Sequence, residues 1–164
     1  MKRILFFLIA GWALPNSVNA GFYSDIDLMT DEIKHGIYFD SSSTVANSIG
    51  MQEEATIYIR CNVKNDNIVS FKSYIKTPTY NGNSTAVGLR WDKGEPLRKG
   101  WDESTSGTAF FAPKPKDFVD KLYNSDSLVF QWTPYNRAAT AVKFDLDELK
   151  KDIDQMIEKG CNFK

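Results

Sequence analysis

The sequence predicts an α+β fold: an antiparallel sheet or small sandwich of about seven strands, two helices in the C-terminal half, and one disulfide. Three observations carry this. Several short stretches alternate apolar and polar residues with a period of two, as half-buried strands do. Two later stretches, one opened by Pro113 and Pro115 and one running from Asp145 to Gly160, change to helical spacing. The chain has two cysteines, Cys61 and Cys161, one ending a strand-like run and the other following a helix stripe in phase with it.

The first twenty residues have the parts of a secretory signal. Lys2 and Arg3 precede an apolar run over residues 4–14, Pro15 and Asn16 break it, and Val18, Asn19 and Ala20 place small residues before a cut. At about eleven residues the run is too short to span hydrocarbon, which needs about 20. Cleavage between Ala20 and Gly21 is expected, giving a single mature domain over residues 21–164 with no membrane span. Loss of Lys2 and Arg3 takes the net charge from −1 to −3, which argues against a dedicated nucleic-acid or anionic-membrane binder. The expected location is the periplasm or the exterior. There an even cysteine count means bridges, and two cysteines allow one connectivity, Cys61–Cys161.

Residues 22–34 are acidic, and Ile26, Met29 and Ile33 share a helical face, so a weak helix is expected there. Its Asp and Glu residues match no calcium loop and read as a solvated face. His35, the only histidine, precedes Gly36 and reads as a turn residue, not a catalytic base. Residues 37–39 suggest a short strand and 40–44 a polar loop, while 45–54 carry no clear pattern. From Thr56 the alternation is plain. Ile57, Ile59 and Cys61 share one face against Tyr58 and Arg60. Residues 68–76 return as the second strand of a hairpin, with Val69, Phe71 and Ile75 expected to be buried. Asn81-Gly82 signals a turn, and Asn83-Ser84-Thr85 matches a glycosylation sequon, meaningful only for a eukaryotic chain.

Val87, Leu89 and Trp91 alternate with Ala86, Gly88 and Arg90. Residues 92–95 form a hairpin turn in which Gly94 is able to take a positive φ, and the chain returns over residues 96–101. Residues 108–111 and 127–133 are further strands, the second burying Leu128, Phe130 and Trp132. Pro113 and Pro115 open a helix whose apolar face is Phe118, Val119 and Leu122. After a turn at Pro134-Tyr135-Asn136, residues 140–144 form the last strand. Asp145 is then expected to cap the final helix in a capping box with Glu148. Its stripe, Leu146, Leu149, Ile153, Met156 and Ile157, leads to Cys161, with Gly160 ending the helix in a left-handed conformation.

One histidine speaks against His-based metal sites and Ser-His-Asp catalysis, and the chain carries no Gly-x-Ser-x-Gly, phosphate-loop or dinucleotide motif. No catalytic residue, metal ligand or cofactor is expected. Arg90, Trp101, Tyr135 and Arg137 are the residue types that anchor interfaces, and they are the expected contact residues for a protein partner in the envelope. On this reading Trp101→Ala or Arg137→Ala weakens partner capture and leaves melting unchanged, whereas a loss of folding would move those residues to the core. Trp91 and Trp132 keep phase with their strands and read as core.

From Thr56 onward the order of features resembles the VasI or TagO family of accessory proteins of bacterial type VI secretion. The residues that carry the resemblance are Ile59-Arg60-Cys61, then Val87, Leu89, Arg90, Trp91 and Asp92, then Trp101. They are followed by Leu122, residues 128–135, Ala141, Phe144-Asp145-Leu146 and Cys161. Asp147-Glu148 stands where that family usually has a small residue, and residues before Ala55 show no correspondence. A weaker resemblance is to the invasion-associated IalB-like proteins. The first resemblance implies an exported, periplasmic, non-enzymatic accessory or binding protein. The alternatives are an inhibitor of an exported hydrolase such as lysozyme, a prophage-encoded envelope protein, and an envelope polysaccharide hydrolase.

Overall fold

The structure is a computed structural model that describes residues 19–82 and 85–163. The predicted signal up to residue 18 and the sequon residues Asn83 and Ser84 lie outside the described residues, and Ala20 and Gly21 open the first strand.

Two antiparallel sheets share one core. The larger has six strands in the order β1-β2-β3-β4-β8-β7: β1 is Ala20–Asp27, β2 Glu32–Ala46, β3 Gln52–Lys64, β4 Asn67–Lys76, β7 Asp102–Glu103 and β8 Ala109–Phe111. The smaller has the order β10-β9-β5-β6, with β5 Ala86–Trp91, β6 Leu97–Gly100, β9 Ser127–Trp132 and β10 Thr140–Asp145. Helix α1 (Pro115–Tyr123) packs on β4, and helix α2 (Asp147–Glu158) packs on β1 and β2. Among the described residues the strands number ten rather than about seven.

The hairpin of β3 and β4 is the centre of the larger sheet. Ala55, Ile57, Ile59, Cys61 and Val63 point inward, with Ile57, Ile59 and Cys61 fully buried. Cys61 is bonded to Cys161, with Cα atoms 6.1 Å apart. The stripe of α2 meets the sheet at the same place, since Leu149, Ile153 and Met156 are buried beside the bridge. Gly160, at φ +88°, ends the helix as expected.

Five local expectations are corrected. Residues 22–34 are a β-hairpin, not a helix: β1 pairs with β2 from Ala20↔Phe39 to Asp27↔Glu32. Asp27 organises its turn, accepting from Met29 N through its side chain and from Asp31 N through its carbonyl, while Asp31 takes φ +57°. The helical spacing of Ile26, Met29 and Ile33 is accidental. Ile26 and Ile33 are cross-strand partners, and Met29 stands exposed at the tip. Pairing with a long neighbour outweighs weak local amphipathicity.

Residues 40–44, read as a loop, lie inside the 15-residue β2, where the register with β3 shifts between Asp40 and Thr44. The extra residues have a use. Ser42 Oγ donates to Lys143 O at 3.0 Å and Ser43 Oγ accepts from Lys143 N at 2.8 Å, so two serines satisfy the open edge of β10. Free sheet edges invite aggregation, and side-chain cover of this kind protects them. In β4, Ile75 is buried and Phe71 half-buried, but Val69 is exposed. Asn62 pairs with Ser70 and Val63 with Ile68, so Val69 is the extra residue of a bulge and leaves the buried face.

Asp145 does not cap α2. It is the last residue of β10, paired with Ser127, and its carboxylate is ion-paired with Lys143. Leu146 occupies the N-cap position, fully buried, with its N–H bonded to Asp126 O. In the β5–β6 turn the positive φ falls on Asp92 (+51°), not on Gly94. Asp92 Oδ1 accepts from Asp126 N at 2.8 Å and Ser127 N at 2.9 Å, bonds that reward Asp there.

Those backbone bonds to Ser127 and Asp126 hold the Asp92 carboxyl below its ordinary range. A depressed folded pKa means that the stabilisation is complete above the unfolded value of about 3.9 and is lost as pH falls through the folded value. Asp92→Asn keeps the acceptor oxygen without the charge. Wild type should therefore have the higher urea midpoint at pH 7, and the gap should close as acid protonates Asp92 in the folded state. A gap that persists in acid would refute the charge argument.

Candidate functional site

Five residues organise a groove between the β5–β6 hairpin and α1. Leu89 and Trp91 reach it from β5 because their phase points inward. Trp101 enters from the point where the chain leaves β6 in one sheet for β7 in the other. Its N–H is bonded to Thr85 O at 2.8 Å. Helix α1 supplies Phe118, which makes an edge-to-face contact with Trp101 at 4.9 Å and a tilted contact with Trp91 at 5.8 Å. Lys121, one turn on, holds its ammonium 5.9 Å from the centre of the Trp91 ring.

The cavity between these walls measures about 470 Å³, within the range of ligand-sized clefts. Its floor is apolar. Lys99, Lys114 and Lys121 stand around it, with Asp117 3.8 Å from Lys114. A groove of this kind suits an apolar side chain or tail carried beside negative charge.

The four expected contact residues fall in different places. Trp101 is only 3% exposed and its ring also meets Phe130 at 5.7 Å, so it backs the groove as a core residue and is not a surface anchor. Arg90 faces the other side of β5, where its Nε donates to Gly94 O at 2.9 Å and braces the turn of its own hairpin. Tyr135 is exposed, and its ring lies edge-on to Tyr80 at 5.9 Å in a separate cavity that includes Thr79 and Arg137. Gly82 lies under it: at φ +66°, an added Cβ would come within 2.4 Å of the Tyr135 ring.

Arg137 clamps the β2–β3 turn, with Nη1 donating to Ala46 O and Asn47 O and Nη2 to Ser48 O, at 3.0 to 3.3 Å. Charge-assisted bonds to three carbonyls are structural, so Arg137→Ala should cost about 1–2 kcal/mol, discounted for exposure. Urea unfolding measures this, and an unchanged midpoint would return Arg137 to a purely surface role.

Trp132 is buried, as its phase predicts, with Nε1 donating to Thr79 Oγ1 at 2.8 Å. Trp91 is half-buried, one face in the core and one in the groove. His35 is not a turn residue: it sits mid-strand in β2, 5% exposed, stacked on Phe22 and hydrogen-bonded to Ser24, and burial lowers its pKa. Among the described residues no group of His, Cys, Asp and Glu is arranged to hold a metal ion, and no helix is long and apolar enough to cross a membrane.

Phe118, Lys99, Lys114 and Lys121 were not singled out by sequence. Phe118 was legible as the apolar face of a helix, but nothing local says that this face meets Trp91 and Trp101.

The geometry defines a class: a two-sheet antiparallel sandwich with late helices, one bridge from the central strand to the chain end, and an aromatic groove beside the first helix. A solved structure with a similar fold is that of invasion associated protein B from Bartonella henselae, at a TM-score of 0.56 and 12% identity, covering 92% of this chain and 100% of that one. At that identity the likeness is one of fold. No protein-family model and no curated protein matches the sequence. The structural likeness therefore falls on the weaker of the two sequence resemblances, and the VasI or TagO resemblance rests on the residues quoted for it.

Proposed function

We propose that this chain is an exported, non-enzymatic binding or accessory protein of the bacterial envelope, and that it holds a protein partner through the groove between β5, β6 and α1. The observation that carries this is the open, apolar cleft of about 470 Å³ lined by the partly buried Trp91 with Lys99 and Lys121. A partly buried indole lining an apolar cleft is the kind of anchor that dominates interfaces once a partner excludes water from it. The lysines select an acidic segment that presents an apolar side chain. Export is supported by the signal-like first twenty residues and by the bridge, which oxidising compartments favour. The fold of invasion associated protein B is compatible with the same setting. An accessory role in type VI secretion is the more specific form of this reading, and it rests on the VasI or TagO resemblance. The basic rim argues against a basic lysozyme as the occupant.

Crosslinking pull-down from periplasm tests this with Trp91→Ala and Lys121→Glu. Both variants should lose a partner that wild type captures, by at least about tenfold, with Lys121→Glu melting close to wild type and Trp91→Ala still folded at the assay temperature. A partner retained by both variants would remove the groove from the interface.

A further inference from the structure

The outer face of the larger sheet carries a second site that neither the groove nor the core explains. The registers of β1 to β4 place two adjacent rows side by side on this face. One row is Tyr23, Gly36, Arg60 and Lys72, and the other is Asp25, Lys34, Asn62 and Ser70. These rows enclose a cavity of about 260 Å³.

Three features of the rows are unusual for a solvated sheet face. Arg60 and Lys72 are direct cross-strand partners, and like charges so placed repel. Among the described residues neither has a carboxylate at ion-pair distance, although Lys34 beside them pairs with Asp27. The Arg60 guanidinium is held over the Tyr74 and Tyr58 rings, at 5.4 and 5.9 Å, which orients it without using its N–H groups. Lastly, the Tyr23 ring lies across the sheet on Gly36, where an added Cβ would come within 2.1 Å of the ring. Lacking a side chain at that point, Gly36 lets an aromatic ring lie flat at the edge of the cavity, and Tyr23 remains 38% exposed.

We infer that this cavity binds an acidic sugar residue, a ring bearing a carboxylate or phosphate. Arg60 and Lys72 take the oxyanion, Arg60 through its planar fork and Lys72 as a point charge. The apolar C–H face of the sugar packs on the Tyr23 ring. Asp25 Oδ1 accepts from Ile26 N and Asn62 Nδ2 donates to Glu32 Oε2, which leaves Asp25 Oδ2, the Asn62 carbonyl and its second N–H for sugar hydroxyls. An oxyanion between Arg60 and Lys72 would offset the repulsion between these cross-strand partners.

Calorimetric titration of the disulfide-intact chain tests the inference, with trigalacturonate as the probe and neutral galactotriose, glucose 6-phosphate and inorganic phosphate as comparators. Trigalacturonate or glucose 6-phosphate should bind at least about tenfold more tightly than both galactotriose and phosphate. Arg60→Gln and Lys72→Gln should each weaken the acidic sugar about tenfold. Tyr23→Ala should weaken the acidic sugars and leave phosphate unchanged. These are exposed positions, and circular dichroism confirms that each variant is folded. Equal binding of galactotriose would remove the role of the cations. Phosphate binding as tightly as the sugars would reduce the site to an anion cluster, and no heat with any probe at about 10 mM would overturn the inference altogether.

Discussion

Replacing Cys61 and Cys161 together by alanine is expected to lower stability by about 2–5 kcal/mol, one of the two largest effects considered for this chain. The bond closes a loop with a sequence separation of 100, for which chain entropy alone sets a ceiling near 4.7 kcal/mol at 25 °C. Both cysteines are fully buried, and they join the central strand of the larger sheet to the segment after α2. Without the bond, α2 is held mainly by the packing of Leu146, Leu149, Ile153 and Met156, while its end is free to fray. A domain this size has about 5–15 kcal/mol in total, so the loss is a large share of what it has. Urea unfolding of the double variant against wild type measures it. An unchanged midpoint would mean that the terminal helix is held by packing and that the bridge constrains nothing.

Trp101→Ala should destabilise by about 3–5 kcal/mol, the usual cost of deleting a buried large aromatic. The sequence reading expected the opposite, a loss of binding with melting unchanged. Trp101 touches Phe118 and Phe130, and Phe130 in turn meets Phe110 and Trp132, so the deletion opens a hole where both sheets and α1 meet. Trp91→Ala is the informative companion. Its ring is half-buried and should cost less than half as much, while removing one wall of the groove. Equal stability losses for the two would show that Trp91 is as deeply embedded as Trp101 and would weaken the proposed interface.

Much of the fold was legible wherever the physics is local. The alternation of Ile57, Ile59 and Cys61 and that of Leu128, Phe130 and Trp132 name buried faces, because a strand between core and solvent must alternate. The stripe of α2 and the phase of Cys161 placed the bridge for the same reason. The first hairpin was misread because β1 is a half-buried edge strand with little apolar contrast, and its conformation is decided by β2. Val69 was misassigned because a bulge shifts phase without a sequence mark. Trp101 sits among polar neighbours, and its burial follows from a crossing between sheets that no local pattern records.

The sequence by itself determined the broad class, the helix faces, most strand phases and the pairing of its two cysteines, since each depends on periodicity within one element or on there being a single possible partner. Only the tertiary structure decided which aromatics share a groove, that Arg137 is a clamp and Trp101 core, and that Tyr23, Arg60 and Lys72 stand in one row. Those are relations between segments far apart in the chain. Such relations arise from strand order and register, which are set by the energy of the whole packed core.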